Sequence, residues 1–546
     1  MAEQSISQDE ILANISMDLN VTTELLDKHV SRGLADKVAY YQLNNGGELV
    51  GSIRYRELFE NVSRFGTALK KLGLREEERV LIVMPDTIEA ITAFLGTIRM
   101  GGIAALINFK LTRDDYLYAA NLIRARVLVT DVSHIDIAAE LLQKVRSMWK
   151  VIIAPAPDEK VTYETIKNLR DASLFNEFLS EGSPTLEPAD THRDDPAFIL
   201  LTSGTTGKPK AVVHKHGDIL YIADTLGKYI INMREDDIVF STSKFFFAYG
   251  FGYILAFPLR VGASVILYPD LIRPELALKV IDNYKPTVFA SSPAFYRAML
   301  LIPDADKYNL SSIRCASSAG EVLPATVYEQ FYKRFGIKIF NCYGSTEALH
   351  CFIVTRPDSK KFKPGSAADT IVPGYEIKIV DPQTGEEIKE PNKQGLLYVK
   401  GYSNALLIMR DYEKFTETFG FGWWNSGDIV YRDEDGVIWF VARADDMIKQ
   451  GGIWISPYEV ENALLQHPAV KEAAVVGYKD SEGLMHAKAF IVLKPGYQPS
   501  EELINDIKEF LRNKIAHYKV PHYFEFVNEL PKTTTGKILR RLLRNY

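Results

Sequence analysis

The chain has 546 residues, which is too long for one hydrophobic core and predicts about two to four packing units. Hydrophobic residues make up 47% and charged residues 25% of the chain, the profile of an ordinary globular enzyme. The net charge of −6 excludes the whole-chain basicity that is typical of nucleic-acid binding.

The sequence has no recognisable targeting peptide, membrane-spanning segment or cysteine framework. The first twenty residues are acidic and lack the basic and apolar parts of a signal or transit peptide. No apolar stretch approaches the roughly 18 residues that a membrane helix needs. Cys315, Cys342 and Cys351 have the spacing of neither a zinc site nor a disulfide framework. The sequence therefore favours a cytoplasmic enzyme, monomeric or homodimeric, that binds neither nucleic acid nor membrane.

Short apolar runs alternate with helical patterns through the first part of the chain. Residues 79–84 and 125–131 are predicted to be buried strands, and a helix that follows the first ends at Gly101-Gly102. Further strands at 264–270 and 287–293 flank a predicted helix at 274–284. Alternating strands and helices predict an α/β fold with mostly parallel sheets.

The pattern changes after about residue 370, where short β-rich runs predict a small antiparallel unit. Beyond Arg443, helical and strand patterns mix over about 100 residues, which suits a separate α+β domain. We therefore predict a large body at 1–442, made of two α/β subdomains and the small β unit. A hinge at 443–445 and a mobile C-terminal lid at 446–546 follow.

A candidate phosphate-binding segment follows the apolar strand that starts at residue 198. Glycines let backbone N–H groups converge on an anion, hydroxyls add donors and lysines add positive charge. Pro209 stands where a Walker loop needs Ser or Thr, so the segment is not a Walker loop. The alternative is a polar turn that binds nothing. The candidate residues are Thr202, Ser203, Gly204, Thr205, Thr206, Gly207, Lys208 and Lys210.

This segment, TSGTTGKPK, resembles the phosphate loop of the adenylate-forming superfamily, which includes acyl-CoA synthetases, luciferases and peptide-synthetase adenylation domains. Further motifs appear downstream in the family's order. The resemblance implies that Tyr343 stacks on adenine, that Asn341 lies near its amino edge and that Thr346 contacts the α-phosphate. It also implies that Glu347 holds Mg²⁺, a cation that prefers oxygen ligands. Gly344 belongs to the same motif, and Ser318, Ala319, Gly320 and Glu321 are expected to border the adenine pocket.

The resemblance extends to the C-terminal part of the chain. Asp428 is expected to accept both ribose hydroxyls, and Arg443 to reach ribose or phosphate. Asp445 would be the hinge, and Gly451-Gly452 would leave room for a pantetheine tunnel. Lys537 would be the mobile catalytic lysine, acting with Thr346 and Glu347.

The segment KFFFAYGFG at 244–252 resembles the acyl-pocket region of benzoate-CoA ligases, with Phe247 at an aromatic gate. Its pocket residues would be Phe247, Ala248, Tyr249, Gly250, His350 and Cys351. Core packing is the alternative for the aromatic run, and His350 is either a substrate contact or a buried histidine satisfied by backbone. Cys351 stands where benzoate-CoA ligases more often carry a branched aliphatic residue, so the resemblance implies a larger pocket and a substituted or bulkier acid. His214 and His216 lack a further metal ligand and are interpreted as part of a polar loop–helix junction.

The resemblance implies an ATP-dependent aryl-CoA ligase that uses Mg²⁺, with ATP and coenzyme A as co-substrates of an aromatic acid. The alternatives are a short-chain, medium-chain or branched acyl-CoA synthetase, an acyl-adenylate ligase that loads a carrier protein, and a luciferase-like oxygenase. A different class, a non-catalytic adenylate-binding protein, would not need Lys537, Glu347 or Asp445.

Overall fold

The computed structural model describes residues 6–203, 208–450, 453–480, 484–532 and 538–544. The chain divides into two compact units, Met1–Glu376 with Val399–Trp424, and Ile377–Tyr398 with Asn425–Tyr546. The residues of the predicted small β unit are divided between the two units, with 377–398 and 425–442 in the second. The predicted lid boundary at residue 443 stays a prediction.

The first unit contains a nine-stranded sheet that is parallel in its interior and antiparallel at both edges. This arrangement and the alternation of strands with helices confirm the predicted α/β class. The strands, in spatial order, are Thr370–Ile371, Cys351–Thr355, Ile339–Gly344, Cys315–Ser318, Val288–Ser291, Ile238–Ser241, Ser264–Leu267, Val38–Leu43 and Leu49–Arg54.

A second sheet of the same unit has eight strands; the five consecutive pairings from Pro196–Ser203 to Ala172–Leu174 are parallel, and the two at the other end are antiparallel. The strands at 79–83 and 127–131 are buried along most or all of their length, as their apolar runs predicted. The strands, in spatial order, are Leu407–Ile408, Pro209–Lys215, Pro196–Ser203, Ile103–Leu106, Arg79–Val83, Val127–Asp131, Lys150–Ala154 and Ala172–Leu174.

Helices connect the parallel strands, and local capping sets several of their ends. The Thr87 side chain accepts from Ala90 N at 3.3 Å where helix Ile88–Arg99 starts, and Gly101 follows its end with φ +86°. No helix among the residues that the structure describes is long and apolar enough to cross a membrane. The α-helices of this unit are Gln8–Leu12, Tyr55–Leu72, Ile88–Arg99, Arg113–Ile123, Ile135–Lys144, Tyr163–Ile166, Phe175–Ser180, His216–Ile222, Ala248–Phe251, Phe257–Val261, Pro274–Tyr284, Pro293–Leu300, Ala325–Phe335 and Tyr412–Thr418.

The second unit carries a three-stranded sheet with its own core. Strands Val470–Lys479 and Met485–Leu493 pair in antiparallel fashion, and Tyr523–Phe526 runs parallel to the latter. Helices Pro457–Leu464 and Glu501–Arg512 pack their apolar side chains on one face of this sheet. Phe419–Gly420 lies in the first unit, and the strands Glu376–Val380, Gly395–Lys400 and Trp423–Arg432 have residues in both units. The remaining strands and helix of the second unit are Ile438–Arg443, Ile448–Gln450, Ile453–Ile455 and Arg540–Leu543.

Candidate active site

The predicted phosphate-binding segment joins two antiparallel strands, Pro196–Ser203 and Pro209–Lys215. Thr202 lies opposite Lys210 in this hairpin, and the Lys208 side chain is exposed. Because Pro209 starts a strand, the segment does not lead into a helix as a Walker loop does. Outside the described residues lie Gly204, Thr205, Thr206, Gly207 and the side chain of Ser203.

The segment predicted to border adenine starts at the carboxyl end of the parallel strand Cys315–Ser318. Ser318 and Ala319 are buried, whereas Gly320 and Glu321 are exposed. Gly320 has φ +100°, in the left-handed region that favours glycine. The chain thus reaches the surface at the end of a parallel strand, the usual location of ligand sites in α/β sheets.

The neighbouring strand Ile339–Gly344 carries the predicted adenine-contacting residues. Asn341 is buried, and its Oδ1 accepts from Leu323 N at 3.0 Å while its Nδ2 donates to Ala367 O at 3.4 Å. The side-chain amide therefore fixes two neighbouring segments of backbone. Tyr343 is half-buried, with its ring 5.8 Å from that of Phe352 in an edge-to-face arrangement. A side chain at Gly344 would lie 2.4 Å from the His350 carbonyl oxygen, so only glycine fits there.

Three hydrogen bonds from distant segments hold the turn Thr346–Ala348, which bears the two predicted catalytic residues. The carbonyl oxygen of Thr346 accepts from His214 Nε2 at 2.8 Å. The carbonyl oxygen of Glu347 accepts from Ala405 N at 2.8 Å, and that of Ala348 accepts from Ser403 Oγ at 2.9 Å. The Glu347 carboxylate accepts from the Ser345 hydroxyl within the same turn. Such anchoring fixes the backbone of the turn, and the role of its side chains in binding a metal stays a prediction.

The residues predicted to line the acyl pocket surround the short helix Ala248–Phe251. Phe247 precedes this helix and is half-buried, with its ring 4.3 Å from that of Phe246. Tyr249 shares a hydrogen bond of 2.6 Å with Ser317 Oγ. A side chain at Gly250 would lie 2.1 Å from the Lys244 carbonyl oxygen. The glycine is thus required by the fold, whether or not its small size also makes room for a ring.

His350 lies against this segment and is buried. Its Nε2 donates to the Tyr249 carbonyl at 3.2 Å, and its ring is 4.8 Å from that of Phe257. Burial lowers the pKa of His350 to about 3, so the ring is neutral at physiological pH. Backbone therefore satisfies one ring nitrogen of His350, whereas Nδ1 is buried without a hydrogen-bond partner among the described residues. A contact of His350 or the buried Cys351 with the acid stays a prediction.

Buried histidines make acid destabilisation an expected property of the fold. Burial lowers the pKa of His29 and His216 to about 4 and that of His350 to about 3. Each contributes stability that is present above the unfolded-state pKa of about 6.5 and is lost as the pH falls through the folded value. We expect the free energy of unfolding in urea to drop by about 2 kcal/mol per histidine between pH 7 and pH 5.

The control for this prediction is His216→Asn, because an asparagine oxygen can still accept from Val21 N as His216 Nδ1 does at 3.2 Å. Between pH 7 and pH 5, the free energy of unfolding of this variant should fall by about 2 kcal/mol less than that of the wild-type protein. An equal loss in both proteins would show that His216 does not titrate in this way.

A buried ion pair at the start of the acyl segment was not predicted from the sequence. Lys244 Nζ lies 3.2 Å from Asp86 Oδ2 and donates to Tyr268 O at 2.7 Å. Asp86 Oδ1 accepts from Phe245 N at 2.9 Å. Burial raises the pKa of Asp86, and the adjacent ammonium opposes that shift. The pair therefore fixes residues 244–245 immediately before the predicted gate, Phe247.

In the second unit, the two residues predicted to bind ribose are neighbours. Asp428 and Arg443 lie opposite each other on paired strands, and Asp428 Oδ1 is 3.1 Å from Arg443 Nη1. The same guanidinium nitrogen donates to Ser426 O at 3.0 Å. A carboxylate held beside an arginine can accept hydrogen bonds from a diol while it stays ionised.

The predicted hinge residue, Asp445, lies in the turn Ala444–Asp446 that directly follows strand Ile438–Arg443. Its carbonyl oxygen accepts from Arg544 Nη2 at 3.2 Å. Gly451, Gly452 and Lys537 lie outside the described residues.

Comparison with known proteins gives matches along nearly the whole chain. The AMP-binding enzyme family matches residues 26–412, and the AMP-binding enzyme C-terminal domain matches residues 459–537. The chain is 38% identical over 527 residues to a benzoate–CoA ligase of Thauera aromatica, covering 96% of each protein. It is 35% identical to a 4-hydroxybenzoate–CoA/benzoate–CoA ligase of Rhodopseudomonas palustris, covering 96% of this chain and 94% of that protein.

Solved structures agree with these matches. The anthranilate CoA ligase AuaEII in complex with anthranoyl-AMP superposes with a TM-score of 0.87 and 35% identity, covering 98% of both chains. A benzoate CoA ligase from Burkholderia xenovorans LB400 superposes with a TM-score of 0.85 and 36% identity, covering 96% of this chain and 100% of that one.

Proposed function

Because this chain belongs to the family of AMP-binding enzymes, we propose that it is an ATP-dependent aryl-CoA ligase. The carboxylate attacks ATP to give acyl-AMP and pyrophosphate, and the thiol of CoA then attacks acyl-AMP to give acyl-CoA and AMP. The observation that carries the proposal is the near full-length similarity to benzoate and hydroxybenzoate ligases. The rings of Tyr249 and His350, two residues predicted to line the acyl pocket, lie 5.6 Å apart.

The first half-reaction needs no general base, because a carboxylic acid with a pKa of about 4 is already ionised at neutral pH. The barrier is electrostatic, since one anion must approach the α-phosphorus of another. Hydrogen-bond donors and cations must therefore stabilise charge that develops in the transition state. We assign this role to Thr346, Lys208, Lys210, the backbone of the phosphate loop and above all Lys537.

Magnesium is assigned to Glu347. The turn offers this ion one hard oxygen donor, and no group of three candidate ligands occurs among the described residues. That donor set fits an ion bound mainly through nucleotide phosphates and water. When bound, Mg²⁺ would neutralise phosphate charge.

The second half-reaction requires a different arrangement, because a thiol must reach the acyl carbonyl as AMP leaves. In this proposal, residues 446–546 act as a lid that swings about Asp445, withdrawing Lys537 and presenting Gly451-Gly452 to pantetheine. The proposal also includes a cytoplasmic location and a monomeric or homodimeric state.

A panel of acids tests the proposed substrate class. With ATP, magnesium and CoA, we expect benzoate and ring-substituted benzoates to give thioester with kcat/KM at least about 10-fold above acetate or hexanoate, because one flat ring fills an aromatic-lined pocket. Hydroxybenzoates and aminobenzoates belong in the panel because the similar enzymes act on them. A preference for straight-chain acids would overturn the aryl assignment. Thioester formation only on a carrier protein would overturn the assignment of CoA.

A further inference from the structure

His214 connects a buried carboxylate to the turn that bears the predicted catalytic residues. It lies at the end of strand Pro209–Lys215, immediately beyond the phosphate loop, and is fully buried with its ring stacked 5.2 Å from that of Phe198. Its Nδ1 is 3.0 Å from Asp218 Oδ2, and its Nε2 is 2.8 Å from the Thr346 carbonyl oxygen. No local sequence pattern indicates the second contact, which joins residues 132 positions apart.

The contact with Thr346 requires the ring to donate. A carbonyl oxygen can only accept, so Nε2 must carry a proton. Asp218 Oδ2, which lies 3.0 Å from Nδ1, also accepts from Lys215 N at 3.0 Å, so the carboxyl group is itself held in place. The other Asp218 oxygen is 3.6 Å from Lys215 Nζ. The ring is therefore held in one orientation, with a donor aimed at Thr346 and a negative charge behind it.

The bond to Thr346 occupies a decisive place in the turn. It fixes the first of three successive carbonyls in the turn. The turn ends at Leu349, whose φ of +64° lies in a region that residues other than glycine rarely adopt. The Thr346 carbonyl also accepts from Leu349 N at 3.0 Å. Without the imidazole donor, this partly buried carbonyl would keep only the bond from Leu349 N, and the turn would lose its connection to the strand that carries His214.

The geometry points to His214 as a positioning residue for adenylation, which holds the Thr346–Glu347 turn against strand Pro209–Lys215, with Asp218 fixing the orientation of its ring. This inference rests on the proposed function, since it assumes that Thr346 and Glu347 act on ATP. Partners that orient a ligating group typically change activity by about 10- to 100-fold when removed.

Two substitutions distinguish the contributions of the two ring nitrogens. In His214→Asn, the amide nitrogen replaces Nδ1 and cannot reach Thr346. In His214→Gln, the amide nitrogen replaces Nε2 and can. We expect His214→Asn to lower kcat for benzoate-dependent pyrophosphate release by about 10- to 100-fold. We expect His214→Gln to recover most of that loss, and thioester formation from supplied benzoyl-adenylate to change much less in either variant.

The matched control is His216→Asn, two positions along the chain and equally buried, whose Nδ1 accepts from Val21 N and which does not hold the turn. It should lower thermal stability without the selective loss of adenylation. If His214→Asn is recovered unfolded, Asp218→Asn replaces it, and we expect a several-fold fall in pyrophosphate release from removal of the orienting charge.

The outcomes distinguish the two levels of the hypothesis. The positioning role alone would be overturned if His214→Asn released pyrophosphate as fast as the wild-type protein, or if His214→Asn and His214→Gln lost the same activity. An unchanged rate of pyrophosphate release for Asp218→Asn would also overturn it. A wild-type protein that releases no pyrophosphate with any acid would overturn the proposed function, and this inference with it.

Discussion

Replacing Lys537 with alanine is expected to slow acyl-adenylate formation by about 10²–10³-fold, the usual cost of losing one well-placed donor to a developing negative charge. The substitution should affect the conversion of supplied acyl-adenylate and CoA to thioester far less, because the lysine is withdrawn from the site in the proposed second step. Single-turnover measurements of pyrophosphate release and of thioester formation separate the two half-reactions.

Lys519→Ala is a suitable control for this experiment. Lys519 belongs to the same compact unit, and its Nζ pairs with Glu459 Oε2 at 2.7 Å, outside the segments assigned to catalysis. The substitution should leave the rates of both half-reactions within about twofold of the wild-type rates, because a partly exposed ion pair contributes little stability. A Lys537→Ala enzyme that is impaired equally in both half-reactions would contradict the proposed role.

The second large effect is expected in stability. Lys244→Met removes the partner of Asp86 where the lysine and aspartate side chains are 1% and 2% exposed. Breaking a buried ion pair on one side typically costs about 3–5 kcal/mol, because the remaining charge has lost its compensation. We expect the free energy of unfolding of Lys244→Met to fall by that amount in urea titrations at pH 7.

The double variant Asp86→Asn/Lys244→Met keeps an oxygen that can accept from Phe245 N and leaves no buried charge. It should therefore be more stable than Lys244→Met alone. If the double variant is at least as unstable as the single one, the loss comes from packing around Lys244 and not from a stranded carboxylate. Because residues 244–245 precede Phe247, both variants should also raise KM for the acid more than KM for ATP.

Much of the fold follows from local sequence patterns. The run at 79–84 forms a strand at Arg79–Val83, and the predicted helix at 274–284 is the helix Pro274–Tyr284. The strand is recognisable from its apolar run, and the helix from its apolar periodicity and the proline in its first turn, because these signals act within a few residues. The ends of the parallel strands also coincide with the predicted nucleotide motifs at Ser318 and Gly344, because ligand sites form where parallel strands end.

The parts that the sequence could not predict depend on contacts between distant segments. The bond from His214 to Thr346 and the Asp86–Lys244 ion pair have no local signature, since each joins separate elements of the chain. His216, interpreted as part of a loop–helix junction, is the first residue of helix His216–Ile222, and His214 lies in the strand before it. The positive φ of Leu349 is equally invisible in the sequence, because tertiary bonds and not residue type impose it.

The central claim is that this chain joins two anions, a carboxylate and the α-phosphate of ATP, before any thiol takes part. Isotope exchange between labelled pyrophosphate and ATP, measured with benzoate and magnesium in the absence of CoA, tests that order directly. We expect label to enter ATP only when an aromatic acid is present, and the rate to fall by about 10²–10³-fold in Lys537→Ala. No exchange with any acid, or exchange that requires CoA, would contradict the account.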